Sequence, residues 1–348
     1  MQNNTAEKMT NDNKQWPTPY RETTKRSYGE AIRDGYAYLL SEHKNVFVIG
    51  QGVWSPWYAG MSMAKLELEF GKERVIDTPV SEAATTGVAV GASLAGYRPV
   101  VFHPRIDFML LAVDAIVNQA AKWRHMLGGQ QSPMMTVRGS INRGGEQGAQ
   151  HSQALHSWFA HVPGLKVVMP STPQDARDLL IAATLCDDPV LYIDDRWLYD
   201  EQADLPPARD IDLNDIKPQI LREGSDVTLV GCGYATRLAQ QAAEILADEH
   251  DMQADVIDLR ILNPLDVSSI VASVKKTGRL CVVDDGWTNC GMAGEIIASV
   301  TERLALADWK AKPSRVTLTD APAPSSKVLE KIYYPTCETV VLSVLNQE

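Results

Sequence analysis

The stretch VIDTPVSEAATTGVAVGASLAGYRPVVF, residues 75–102, decides the fold class. Val75–Ile76 is a short apolar run with the branching of a buried strand, Ser81–Ala95 has helical spacing, and Pro99–Phe102 is again an apolar strand-like run. Ser81 before Glu82 reads as a helix cap followed by an acid in the first turn, where the helix dipole favours negative charge. The alternation continues on both sides. Upstream, Tyr28, Ala31, Ile32, Tyr36, Leu39 and Leu40 recur at helical spacing ahead of the apolar run 45–50. Downstream, strand-like runs at Met134–Val137, Lys166–Met169 and Val190–Ile193 alternate with helical segments Leu110–Met126 and Thr172–Leu185, the last opened by a hydroxyl cap and a proline at the first helical position. None of these runs has a polar alternate face. They predict a doubly wound, mainly parallel α/β sheet covered by helices on both sides.

The chain has 348 residues and a formal net charge of −11, with 45% apolar composition, so two domains with separate cores are expected. Residues 1–16 are polar and aperiodic and read as a disordered tail; 17–200 form the first domain, the acidic, proline-bearing stretch 201–218 a linker, and 219–348 a second α/β domain. In that second part, strands are expected at Asp226–Val230, Ala254–Leu259, Leu280–Val283 and Val316–Leu318. Helices are expected at Arg237–Ala247, Val267–Lys275, Gly294–Leu306 and Thr339–Leu345. An acidic balance disfavours a nucleic-acid backbone or an anionic lipid surface, and neither a membrane-spanning run nor a signal peptide is visible, so a cytoplasmic protein is expected. The five scattered cysteines, with no C-x-x-C pair, read as free thiols.

Chemistry is harder to read from pattern alone. Gly231-Cys-Gly233 between a strand and a helix could cradle a phosphate, but the third glycine and the acid after the next strand are missing, which favours a tight turn. His151, His156 and His161 stand five apart, unlike the i, i+4 pair that grips zinc, so a metal cluster is not expected. His151 follows the glycine-rich loop 139–150 and could be a ligand-facing imidazole at a helix start or a structural one. Glu82 opens a helix of small residues, from Ala83 to Ala92, over which a flat ligand or another backbone could approach closely; an acid comfortable on the helix dipole is the plain alternative.

Several long motifs, in order and at the right mutual distances, resemble the beta subunits of thiamine-diphosphate-dependent 2-oxo acid dehydrogenases, the pyruvate and branched-chain members in particular. They are Val75–Glu82, Gly87 to Val100, Asn118–Lys122, Gly128-Gly129, Ala149-Gln-His-Ser-Gln153 and Val162–Ser171, and the likeness runs from about residue 27 to 346. The resemblance implies a transketolase-like pyrimidine-binding domain followed by a transketolase C-terminal domain. It further implies that Glu82 hydrogen-bonds the ring nitrogen of the cofactor's aminopyrimidine, where only a group able to exchange a proton can start the cofactor's activation. Phe108 matches the aromatic residue stacked on that ring. His151 matches the histidine that lines the active-site channel and helps hand the acyl group to a lipoyl arm.

The family's Gly-Asp-Gly motif and downstream asparagine, which hold the diphosphate and Mg²⁺, are absent; the Asp-Gly pairs at Asp34 and Asp285 have no preceding glycine. The resemblance therefore implies an alpha subunit that supplies the phosphate and metal site, in an α₂β₂ heterotetramer, with a lipoyl-carrying acyltransferase as a further partner. Candidate contacts are the helix after Glu82 and Trp158-Phe159. Gln51 replaces an acid beside the pyrimidine and can still hydrogen-bond. His103 and Arg105 also depart from the usual residues and are candidates for recognising an anionic or larger substrate; a salt bridge of Arg105 with Asp107 or a partner acid is the alternative. The expected activity is oxidative decarboxylation of a 2-oxo acid with acyl transfer to a lipoyl acceptor. A split transketolase or acyloin-forming enzyme, which passes the thiamine-bound carbanion to an aldehyde or ketone, is the second expectation.

Overall fold

The computed structural model describes residues 19–55 and 58–347. The tail reading for residues 1–16 and the loop positions Pro56 and Trp57 lie outside the described residues.

Two sheets organise the chain. In the first, seven strands lie in the spatial order Ile261–Asn263, Lys166–Val168, Val190–Asp195, Thr136–Ile141, Arg98–His103, Val46–Gly50 and Val75–Asp77. All neighbours in it are parallel except Ile261–Asn263, which comes from the C-terminal part of the chain and pairs antiparallel with Lys166–Val168. The second sheet has five strands in the order Ser314–Leu318, Leu280–Trp287, Val227–Gly231, Ala254–Asp258 and Gln219–Arg222, parallel but for the last. The parallel-sheet expectation therefore holds for both domains.

Helices Tyr28–Glu42 and Pro173–Leu185 cover one face of the first sheet, burying Ile32, Tyr36, Leu39, Leu179 and Leu180. Ser27 caps the first of these in a reciprocal box with Glu30, and Thr172 Oγ1 accepts from the Asp175 amide at 3.1 Å. Glu82–Leu94 and the segment from Ile106 to Met126 cover the other face. There the apolar cluster is continuous across the domain junction, from Val137 and Ile193 through Met169 to Val230, Ile257 and Met292.

Several sequence expectations change. Ser81 stands at the N-cap but makes no side-chain cap bond. The helix expected over Leu110–Met126 is broken into a 3₁₀ turn at Leu110–Ala112, a π-helical stretch at Asp114–Ala120 and a final helix at Ala121–Met126. The strand expected at Met134–Val137 runs instead over Thr136–Ile141 and carries the fully buried Arg138, whose guanidinium is met by Asp194 at 2.8 Å. Burying a charge is tolerated where a partner neutralises it, and apolar patterning cannot announce such a strand. The stretch read as a linker contains Gln202–Leu205, paired antiparallel with Thr24–Ser27, and it buries Leu205 and Leu213. Lys327–Tyr333 forms a helix that the sequence reading did not anticipate. No helix among the described residues is long and apolar enough to cross a membrane.

Candidate functional site

Open parallel sheets gather ligands at the carboxyl ends of their strands, where loops diverge. Here three adjacent strands end together, Gly50 pairing with Phe102 on one side and Asp77 on the other, and a fourth lies alongside, with Gly139 opposite His103. A Cβ on Gly50 would lie 2.4 Å from the Phe102 carbonyl oxygen, so this close approach requires glycine. The loop after Gly50 is fixed by the Val53 amide donating to Asp77 Oδ1 at 2.9 Å and by the Thr78 amide donating to the Gly50 carbonyl at 3.0 Å. A crevice results, lined by Gln51, Thr78, Glu82, Thr85 and His103.

Glu82 is half-buried at the first position of its helix, and its carboxylate has no hydrogen-bond or ion-pair partner among the described residues. His103 is buried beneath the same helix and shares a hydrogen bond with Thr86 Oγ1 at 3.1 Å. Burial pushes its pKa down to about 4, so the imidazole is neutral at pH 7. Recognition of an anion by a charged His103 therefore does not fit this position; a neutral hydrogen-bonding group does.

A second cluster adjoins the first through the turn after His103. Phe108, 39% exposed, meets His151 edge to face with ring centroids 5.2 Å apart. Arg105 Nη1 donates to the His151 carbonyl at 3.2 Å, and Nη2 donates to Gln147 Oε1 at 2.9 Å. The Arg105 charge also acts on Asp107, holding its carboxyl down against the effect of burial, while the guanidinium's hydrogen bonds run across to the glycine-rich loop. His151 itself lies in a bend, and the helix starts only at His156. Thus Glu82, Gln51 and His103 share one crevice, while Phe108, His151 and Arg105 form a second cluster on the chain that follows His103.

The glycine-rich loop is held from the second domain. The Glu146 amide donates to Glu330 Oε1 at 2.8 Å, and the Lys327 amide donates to Glu146 Oε1 at 3.3 Å. Gly144, Gly145, Glu146 and Gly148 all have positive φ, a backbone path that the glycine content permits. Nothing in the sequence linked this loop to the helix near residue 330.

Deeper in, Arg143 reaches across the domain junction, paired with Asp195 and, at 2.6 Å, with Asp285, between the rings of Trp197 and Tyr234. Asp285 Oδ2 also accepts from the Ala235 amide at 2.9 Å, so a carboxylate of this chain satisfies the helix start after Gly231-Cys-Gly233. A Cβ on Gly231 would lie 2.6 Å from the Thr236 nitrogen, which makes this a tight strand-to-helix turn. His156 is buried and donates from Nε2 to Asp284 Oδ1 at 2.8 Å. His161 lines a separate groove of about 950 Å³ with Trp158 and Cys290. Among the described residues there is no group of three or more His, Cys, Asp and Glu placed to hold a metal ion.

The outer side of the Glu82 helix exposes apolar side chains and open glycines together. Val88 is 58% exposed, neighbouring Val80 and Leu111 are also exposed, and a Cβ added at Gly87 or Gly91 would meet nothing within 4 Å. Of the pair Trp158-Phe159, Trp158 is exposed and Phe159 belongs to the core.

The transketolase pyrimidine-binding domain family matches residues 24–201, and the transketolase C-terminal domain family matches 217–340. The mitochondrial pyruvate dehydrogenase E1 component subunit beta of Saccharomyces cerevisiae is 37% identical over 321 residues, covering 90% of this chain and 87% of its own. The acetoin:2,6-dichlorophenolindophenol oxidoreductase subunit beta of Cupriavidus necator is 40% identical over 312 residues, covering 89% of this chain and 91% of its own. Among solved structures, a split-gene transketolase described as an inactive beta4 tetramer superposes with a TM-score of 0.72 at 20% identity, covering 92% of this chain and 97% of that one.

Proposed function

The chain belongs to the family of thiamine-diphosphate-dependent 2-oxo acid dehydrogenase beta subunits within the transketolase-like superfamily, and from that membership we propose that it supplies the aminopyrimidine half of a cofactor site shared with an alpha subunit, for oxidative decarboxylation of a 2-oxo acid. The observation that carries the reading is the half-buried, unpartnered Glu82 carboxylate in a crevice with Gln51 and the neutral His103. The residues present fit a flat heteroaromatic group. Glu82 offers a proton acceptor at the crevice mouth, Gln51 an amide able to donate or accept, and Phe108 a partly exposed ring for stacking.

Thiamine diphosphate, when bound, supplies the nucleophilic carbon for attack on the 2-oxo group. Glu82 holds or moves the proton at the pyrimidine nitrogen, a transfer worth about 10²–10⁴-fold in rate for a positioned acid or base. Arg105, two residues after His103, sets a fixed positive charge for an incoming carboxylate. His151, beside it, gives or takes a proton during acyl transfer to a lipoyl arm carried by an acyltransferase. Mg²⁺ and the diphosphate fall to the alpha subunit, because this chain offers neither a cluster of metal-ligating side chains among its described residues nor the family's phosphate motif. The open glycines and the exposed Val88 of the Glu82 helix fit packing against that subunit in a heterotetramer. A second reading, with acetoin as the substrate, is favoured by the Cupriavidus necator relative's name.

The test is co-expression with an alpha subunit and assay of the pair with thiamine diphosphate, Mg²⁺, a 2-oxo acid panel and acetoin. Glu82→Gln should leave assembly and cofactor binding intact and remove deuterium exchange at the cofactor's reactive carbon. Retained exchange would refute the role of Glu82. Arg105→Ala should lower kcat/KM unevenly across the panel; an equal loss for all substrates would overturn its part in recognition.

A further inference from the structure

The turn Arg105–Phe108 and the segment His151–Gln153 are joined at three points. Arg105 Nη1 donates to the His151 carbonyl, the Phe108 and His151 rings meet edge to face, and Asp107 Oδ1 accepts from both the Gln153 amide (3.1 Å) and Gln153 Nε2 (3.0 Å). Asp107 is only 6% exposed, and its second oxygen, Oδ2, is buried with no hydrogen-bond partner. A buried carboxylate oxygen without a partner is costly, so its retention calls for a reason. Its one employed oxygen holds a residue two positions from His151.

We infer that Asp107 and Gln153 are positioning residues, which fix the His151 ring against Phe108 by hydrogen bonding while transferring no proton. The inference rests on the proposed role of His151 in acyl transfer. Residues at a working site are held to within fractions of an ångström by such supporting contacts, and a loop rich in glycine needs them more than a helix does. Of the two contacts that reach the His151 segment from this turn besides the rings, Arg105 holds a carbonyl and Asp107 holds an amide and a side chain, so Asp107 makes the larger grip. Burial also pushes the Asp107 carboxyl above its ordinary pKa, against the opposing effects of Gln153 and Arg105. An uncharged amide at this position would escape the cost of burying charge and keep an acceptor oxygen for Gln153.

The test compares Asp107→Asn, Asp107→Ala and Gln153→Ala in the assembled pair by three readouts: hydrogen exchange in the peptide spanning 149–156, turnover with an artificial electron acceptor, and acylation of a lipoyl domain. Asp107→Ala should speed exchange at the Gln153 amide at least tenfold and lower lipoyl acylation at least tenfold, with artificial-acceptor turnover within about threefold of wild type. Asp107→Asn should restore both exchange protection and acylation. Gln153→Ala, which leaves the carboxyl in place, should reproduce the acylation defect if Asp107→Ala fails to fold. The inference is overturned if Asp107→Asn is as defective as Asp107→Ala, which would indicate proton transfer, if both activities fall together, or if exchange is unchanged. Should the wild-type pair bind no thiamine diphosphate, the functional proposal would fall, and the exchange comparison would still decide whether Asp107 holds this segment.

Discussion

The flank of the first domain that meets the second and the flank that carries the Glu82 helix are both apolar, yet only the former is finished within the chain. At the junction, Met169, Val230, Ile257 and Met292 form one continuous core, and buried charged side chains meet partners across it. Arg143 faces Asp195 and Asp285; His156 faces Asp284. On the outer flank, Val80, Val88 and Leu111 stay exposed, and the helix shows glycines with empty space before them. A glycine inside a helix costs up to about 1 kcal/mol relative to alanine, so two with no neighbour to accommodate are a cost without an internal return. The contrast distinguishes a surface that folding completes from one that, in the proposed assembly, the alpha subunit completes.

The largest effect should come from opening the sealed side. Arg143→Ala leaves Asp195 and Asp285 buried and facing each other, and removing one partner of a buried ion set costs about 3–5 kcal/mol. Urea unfolding of the chain should register that loss. The loss should also depend on pH in a definite sense. Burial, with help from Asp285 and against Arg143, already raises Asp195 to about 6. Without the guanidinium that holds it down, Asp195 can take a proton more readily, so the variant should suffer less at pH 5 than at pH 8. A cost under 1 kcal/mol at pH 8 would mean that the junction is held by its apolar core alone.

Filling the open side should do the reverse. Gly91→Leu places a side chain where nothing stands within 4 Å, so the isolated chain should lose no stability and gain up to about 1 kcal/mol in helix propensity. Association with the alpha subunit should weaken at least tenfold, about 1.4 kcal/mol, as read by titration of the two purified subunits. Equal affinity for the variant and the wild type would remove this helix from the interface and dissolve the contrast.

The same contrast explains what could be read in advance. Both parallel sheets were legible because strands such as Val46–Gly50 and Val227–Gly231 are largely buried on two faces and are mostly apolar. Thr136–Ile141 was misplaced because its register is set by the buried Arg138–Asp194 pair, a contact between residues far apart in sequence. Glu82, Phe108 and His151 could be singled out only through family likeness, since helix position and spacing allow structural roles for each. The grip of Asp107 on Gln153 and of Glu330 on the glycine-rich loop were not legible at all. They join segments 46 and 184 positions apart, and no local pattern encodes such pairings.

A smaller effect belongs to a second acid on the sealed side. Asp258 accepts a hydrogen bond from Ser171 across the junction and one from Thr236 in its own domain, and burial, aided by Asp175, raises it to about 7. Its unfolded value is near 3.9, so the folded state holds the proton more tightly, and stability should fall as pH rises from about 4 through 7. Asp258→Asn removes that titration. Its melting temperature should vary less between pH 5 and pH 8 than that of wild type; an unchanged slope would assign the pH dependence to other groups.

The smallest effect sharpens the contrast at the level of a single hydroxyl. Ser81 and Thr172 both read from sequence as helix caps, yet Thr172 Oγ1 accepts from the Asp175 amide while Ser81 makes no such bond. Thr172 opens a helix packed in the core, whereas Ser81 opens the one whose amino end lines the crevice. Thr172→Ala should therefore cost about 1 kcal/mol, the usual value of a working cap, and Ser81→Ala only a few tenths. Chemical unfolding of both variants checks the difference. A full cap penalty at Ser81 would mean that the crevice end of the Glu82 helix is satisfied within the chain after all, and that this flank is less dependent on a partner than its open glycines indicate.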